Sequence, residues 1–193
     1  MEKQQLLSFF QNYVAASQQN LEKIVAEFEE VRFSKNEFFL KEGKISNDYL
    51  FLAEGFMRSF TFNTEGNEVT TYFHSENKVV FDVSSFFMRI PSTENIQALT
   101  VSSGYIISYD KLNELFHSMP EFREFGRAML VKEFSAFKQR TLMLINKSAD
   151  ERYAILMQTN KEVFQYAQLK YIASYLGITD TSLSRIRKGF LKK

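Results

Sequence analysis

The stretch Gln168-Leu169-Lys170-Tyr171-Ile172-Ala173-Ser174-Tyr175-Leu176-Gly177-Ile178-Thr179-Asp180-Thr181-Ser182-Leu183-Ser184-Arg185-Ile186-Arg187-Lys188 decides the reading of the C-terminal third. Two helices that cross closely need a small residue at the crossing, and Ala173 supplies it. Four residues on, a tight turn needs a backbone that accepts positive φ, which Gly177 does without a Cβ penalty. Thr179 suits the start of the second helix, where its hydroxyl can accept from an otherwise free backbone N–H. Leu183 and Ile186 share one face of that helix and meet Ile172, Leu176 and Ile178 from the first. Together these requirements describe a helix-turn-helix.

With that face buried, Thr181, Ser182, Arg185 and Lys188 turn outward. Thr181 and Ser182 fall in the first turn, the part that approaches base edges in a major groove. Arg185 can pair with guanine O6 and N7 in a bidentate contact. Arg187, Lys188, Lys192 and Lys193 suit phosphates, and Gln168, Lys170 and Thr179 border the same surface. From Leu183 onward there are five basic residues and no acidic one. Asp180 runs against this pattern because an acid there faces phosphates, although it can also complement the helix dipole. The plainer alternative is a helical hairpin with a solvated basic face.

Charge is divided in the same sense. Residues 1–120 carry 10 Lys and Arg against 16 Asp and Glu, whereas residues 121–193 carry 14 against 7, so the net +1 conceals an acidic front and a basic back. Such a division points to a polyanion met by the back alone.

Upstream of the motif, Leu6, Phe10, Tyr13 and Val14, then Leu21, Ile24, Val25 and Phe28, recur at helical spacing. From about Val31 to Ser108 the pattern becomes one of short strands separated by turns. Phe38–Leu40 precedes a turn at Glu42-Gly43, and Tyr49–Ala53 is broken by Glu54-Gly55. Phe56 to Phe62 alternates, with Phe60 and Phe62 on one face and Ser59 and Thr61 on the other. Asn63–Asn67 forms a hairpin turn into Glu68–His74, and Lys78–Val80, Ile96–Ala98 and Gly104–Ser108 follow. Many short strands at this spacing predict a compact roll or barrel.

Beyond Tyr109 the pattern is helical. Asp110 is the expected cap of a helix over Lys111–His117. Pro120 fits the first turn of a long helix ending near Asn146. Leu130, Phe134, Phe137, Thr141 and Leu144 recur along it at 4-3-4-3 spacing, the seam of a helix that pairs with a second copy or packs on its own roll. Another helix is expected over Asp150–Thr159. The chain is therefore read as α+β, with a sensor-like roll over residues 1–118, a dimerisation helix over 119–147 and a helix-turn-helix domain over 148–193.

Absences narrow the function classes. The sequence has no Cys, so disulfides, thiolate metal sites and Cys nucleophiles are excluded. No Gly-rich phosphate loop or nucleophile elbow occurs, and no enzyme is expected. His74 and His117 stand alone and read as structural or exposed rather than as metal ligands. The polar start Met1-Glu2-Lys3-Gln4-Gln5 lacks a signal-peptide core, no apolar run is long enough to cross a bilayer, and a cytoplasmic location is expected.

The layout, and Ile172–Ile178 with Ser182–Arg187 above all, resembles the Crp–Fnr family of bacterial transcription regulators. That resemblance implies a jelly-roll type β-roll like a cyclic-nucleotide-binding domain. It also implies homodimers on palindromic double-stranded DNA and contact with RNA polymerase. The sequence ends soon after Phe190, so the two-stranded wing that usually follows is expected to be missing. In nucleotide-binding members a Gly-Glu pair takes the ribose and an Arg-Ser/Thr pair takes the cyclic phosphate. The matching stretch here is Phe81–Glu94. Asp82 falls where the acid belongs, Phe81 replaces the glycine, Ser92 stands in place of the arginine, and Thr93 keeps the hydroxyl. Arg89 is out of register, and Glu94 would repel a phosphate. Without the bidentate cation cyclic AMP is not expected to bind tightly. Asp82, Ser84, Ser85, Ser92 and Thr93 are the candidate lining of a pocket for some other effector, or plain loop and capping residues. The competing functional reading is a ligand-sensing roll whose C-terminal helices contact a protein partner rather than DNA.

Overall fold

The computed structural model describes residues 3–190. Two short amphipathic helices, α1 (Gln4–Gln11) and α2 (Gln18–Ala26), open the chain, the second capped by Ser17, whose hydroxyl accepts from the Asn20 N–H. Their apolar faces (Leu6, Phe9, Phe10, Leu21, Ile24 and Val25) are buried.

Eight strands follow: β1 (Glu29–Phe33), β2 (Phe38–Leu40), β3 (Asp48–Glu54), β4 (Met57–Phe62), β5 (Glu68–His74), β6 (Lys78–Val80), β7 (Asn95–Ala98) and β8 (Ser102–Ser108). They form two four-stranded antiparallel sheets, ordered β1-β8-β3-β6 and β2-β7-β4-β5. Leu50, Leu52, Met57, Val80, Ile96 and Ala98 fill the space between them. The unbroken apolar run Tyr49–Ala53 has a physical reason. One face of β3 looks into the roll, while Tyr49, Phe51 and Ala53 pack into a second cluster with α1 and α2. Gly104 lies opposite Leu52 because a side chain there would collide with the Phe51 carbonyl.

The hairpin of β4 and β5 forms where the sequence placed it, closed by Asn63–Asn67. As expected, Phe60 and Phe62 share one face of β4, their rings 5.8 Å apart, but Phe60 is buried while Phe62, next to the hairpin turn, is exposed. The register shift in this pair lies on β5, where Thr71 is the extra residue between Thr70, opposite Phe60, and Tyr72, opposite Ser59. Between β6 and β7 a short helix, α3 (Val83–Met88), is capped by Asp82.

After β8 come α4 (Tyr109–Ser118) and α5 (Pro120–Asn146). Ser108, not Asp110, caps α4: its hydroxyl accepts from the Lys111 N–H, and Asp110 sits in the first turn, where its charge complements the dipole. Only Phe122 and Phe125 of α5 are buried. Leu130, Phe134 and Phe137 are 62–67% exposed, so the seam is not covered by the chain's own roll. The remaining helices are α6 (Ala149–Thr159), α7 (Val163–Tyr166), α8 (Leu169–Tyr175) and α9 (Asp180–Phe190). A reciprocal Ser148–Glu151 capping box starts α6, and α7 is a single turn without a strong sequence signal. Among the described residues no helix is long and apolar enough to cross a membrane.

The C-terminal helices bury Tyr153, Leu156, Val163, Ile172, Ala173, Leu176, Leu183 and Ile186 together. Phe56, Phe73 and Leu99 of the roll belong to the same cluster, so this core is shared across the two parts of the chain.

Candidate nucleic-acid interface

The turn between α8 and α9 is a Schellman closure. The Gly177 N–H donates to the Ser174 carbonyl and the Ile178 N–H to the Ala173 carbonyl, both at 3.0 Å. Gly177 has φ +65°, the left-handed conformation the sequence required there. Ala173 is 1% exposed at the helix crossing, against Leu183 and Ile186. The Thr179 hydroxyl accepts from the Ser182 N–H at 3.2 Å and caps α9 as expected.

Asp180, Thr181, Ser184, Arg185 and Lys188 line one open depression of about 410 Å³ on the outer face of α9. Among the described residues Arg185, Arg187 and Lys188 form no ion pair, which leaves these cations to an external anion. The Thr181 and Ser182 hydroxyls form a small network with Thr179, at 2.9 and 3.0 Å, so their local bonds compete with any outside partner. Ser182 and Arg187 are half-buried, and Gln168 and Lys170 are exposed at the start of α8. Lys170 lies 5.0 Å from the centre of the Tyr171 ring. Lys192 and Lys193 fall outside the described residues.

The back of α8 is held by residues the sequence did not single out. Arg58 on β4 is 1% exposed and lies between the rings of Phe60 and Tyr171, 4.0 and 3.5 Å from their centres. Its Nη2 pairs with Glu68, while Nε and Nη1 are buried without partners. One helical turn along α8, Arg140 of α5 lies 3.6 Å from the centre of the Tyr175 ring and donates to the Tyr175 carbonyl at 3.1 Å. Between them Ser174 accepts from the Thr70 N–H and bonds the Thr70 hydroxyl, each at 3.1 Å. Arg152 joins α6 to the same unit through the Leu176 carbonyl at 3.0 Å. A lone arginine amid the aromatics of β4 was the available signal, but its partner Tyr171 lies more than a hundred residues away.

The candidate effector residues separate into two groups. Asp82 Oδ1 accepts from the Ser85 N–H at 3.1 Å, and Oδ2 accepts from the Ser92 hydroxyl at 2.6 Å. The buried Ser85 hydroxyl donates to the Ile90 carbonyl and accepts from the Ser46 N–H. Ser92 also accepts from the Glu94 N–H. Asp82, Ser85 and Ser92 are thus engaged with one another as caps and loop ties, while Ser84 and Thr93 are exposed. Arg89 is used as well: it donates to the Ser46 carbonyl at 3.0 Å and stacks on Tyr109. Burial, reinforced by nearby Asp82, pushes the Glu94 carboxyl above its ordinary range. Among the described residues the Ser92 hydroxyl bonds only Asp82 and the Glu94 backbone, and no guanidinium.

His74 is buried on β5 with Nε2 2.9 Å from the Ser59 hydroxyl, and His117 is exposed on α4, so the two share no site.

A family model for the cyclic nucleotide-binding domain matches residues 30–119, which span α3 and all but the first residue of the eight strands. The transcriptional activator protein Anr of Pseudomonas aeruginosa is 25% identical over 167 residues, covering 79% of this chain and 66% of that protein. The fumarate and nitrate reduction regulatory protein of Yersinia pestis is 27% identical over 172 residues, covering 82% and 67%. The chain is thus similar to these transcription regulators, and its roll matches the cyclic nucleotide-binding domain. It spans about two thirds of the length of those two relatives. Among solved structures, FixK2 of Bradyrhizobium japonicum shares the fold with a TM-score of 0.73 at 19% identity, over 86% of this chain and 85% of that one. A Crp/Fnr family regulator from Eubacterium rectale gives 0.70 at 15%, over 91% and 84%.

Proposed function

We propose that this chain is a DNA-binding regulator of transcription of the Crp–Fnr family that works in the cytoplasm as a homodimer on palindromic double-stranded DNA. The observation that carries the reading is the exposed, unpaired cationic face of α9, set on a Schellman turn and a buried crossing. Thr181, Ser182 and Arg185 read base edges, with Arg185 taking a guanine. Gln168, Lys170, Thr179, Arg187 and Lys188 position the helix on phosphates. The exposed seam of α5 pairs the two copies, because 62–67% exposure of Leu130, Phe134 and Phe137 is costly on a free helix and is relieved by knobs-into-holes packing. Contact with RNA polymerase follows from the family's mode of action.

The roll does not bind cyclic AMP tightly. The acid that would take the ribose is committed to Ser85 and Ser92, and Ser92 offers a hydroxyl where a phosphate needs a guanidinium.

The test is selection of duplexes from a fragmented genome at moderate salt, where sequence-blind phosphate binding is suppressed. The reading requires enrichment of a palindrome whose half-sites lie about one helical turn apart. Binding without sequence preference would refute it.

A further inference from the structure

We propose that the docked pose of the C-terminal helices on the roll is itself the DNA-reading pose, held by a two-arginine clasp, so that reading requires no effector-driven swing. This inference rests on the DNA-reading role above and concerns how that role is switched.

Three observations converge. First, the back of α8 is fastened at three successive points. Arg58 stacks on Tyr171, Thr70 bonds Ser174, and Arg140 stacks on Tyr175 while holding its carbonyl. Two fastenings come from adjacent strands of one sheet, and the third comes from α5. Second, the fastened surface is apolar and large. Phe56 and Phe73 of the roll stack 5.6 and 5.0 Å from Tyr166 and Tyr175, and Leu99 completes the cluster. Swinging the helices away would expose these side chains, so an undocked state is scarcely populated, and a reader that needed it would bind weakly. Third, the clasp does not cover the reading face. Arg185 and Lys188 stay open to solvent, and Gln168 and Lys170 are exposed beside them.

The place where an effector would act points the same way. Asp82, Ser85 and Ser92 are already tied into one network, so a ligand entering there would first have to break those bonds.

The absence of cysteine allows a direct test. The γ oxygens of Thr70 and Ser174 are 3.1 Å apart, so the double variant Thr70→Cys/Ser174→Cys can form a disulfide that locks the docked pose. Affinity for the selected duplex is compared in the oxidised and reduced double variant, with disulfide content read by thiol titration. The proposal expects the oxidised protein to bind within about threefold of the reduced one. A loss of tenfold or more on oxidation, recovered on reduction, would overturn it. Arg140→Ala perturbs the clasp in the opposite sense and keeps the test decisive if the double variant misfolds. Weaker binding of the wild-type duplex is expected, and tighter binding would mean that the clasp inhibits. Failure of wild type to select any sequence would refute the DNA-reading role itself, whereas a locked protein that alone loses binding refutes only the clasp.

Discussion

Replacing His74 by glutamine should flatten the acid limb of the stability profile. The imidazole is 6% exposed on β5, and burial lowers its pKa from 6.5 to about 4. In the unfolded chain it takes up a proton at its ordinary value. Above pH 6.5 both states are neutral, and the stability is fully present. As pH falls through 6.5 the unfolded state binds the extra proton first, and stability is lost until the folded state protonates near 4. Linkage between those two values gives a loss of about 2 kcal/mol from pH 7.5 to pH 5.0. Urea unfolding of wild type and His74→Gln at both pH values isolates this contribution, because groups common to both proteins cancel in the difference. Wild type should lose about 2 kcal/mol more than the variant. Equal losses, or a His74 proton resonance titrating near 6.5, would refute the reasoning.

On α5, Phe137→Glu introduces a charge into the 67% exposed seam and should give a folded monomer by light scattering. A monomeric wild type would refute pairing through this face. Gly177→Ala should destabilise the protein by about 1 kcal/mol in urea titrations. The added methyl has room, with Leu144 Cδ2 at 3.9 Å, so the cost lies in φ +65° alone, and an unchanged midpoint would show that the turn relaxes. Calorimetry with cyclic AMP should give no low-micromolar binding, and such binding would mean that the Asp82–Ser92 tie opens for a ligand.

What the sequence revealed follows the range of the interactions. Glu68–His74, Lys78–Val80 and the turn at Gly177 were legible because alternation, turn residues and a positive-φ requirement act within a few residues. The start of α5 at Pro120 and the cap at Thr179 were legible for the same reason. Ser108 displaced Asp110 as a cap because two neighbouring residues could each have served, and the choice depended on where β8 ended. The bulge at Thr71 of β5 leaves no mark in composition. Nor could one-dimensional reading pair Phe56, Phe73 and Leu99 with helices a hundred residues on, or find Arg58 against Tyr171. In the effector region the sequence offered Asp82, Ser85 and Ser92 as pocket or capping residues alike, and their mutual hydrogen bonds depend on α3 and the loop before β7 folding back on each other.

The central claim, that α9 reads sequence, is tested most directly by binding of wild type and Arg185→Ala to the selected duplex and to duplexes changed one base pair at a time. The account predicts that Arg185→Ala costs about 1–3 kcal/mol on the parent duplex and abolishes discrimination at one position in each half-site. An unchanged affinity, or a loss of the same size on every duplex, would contradict it.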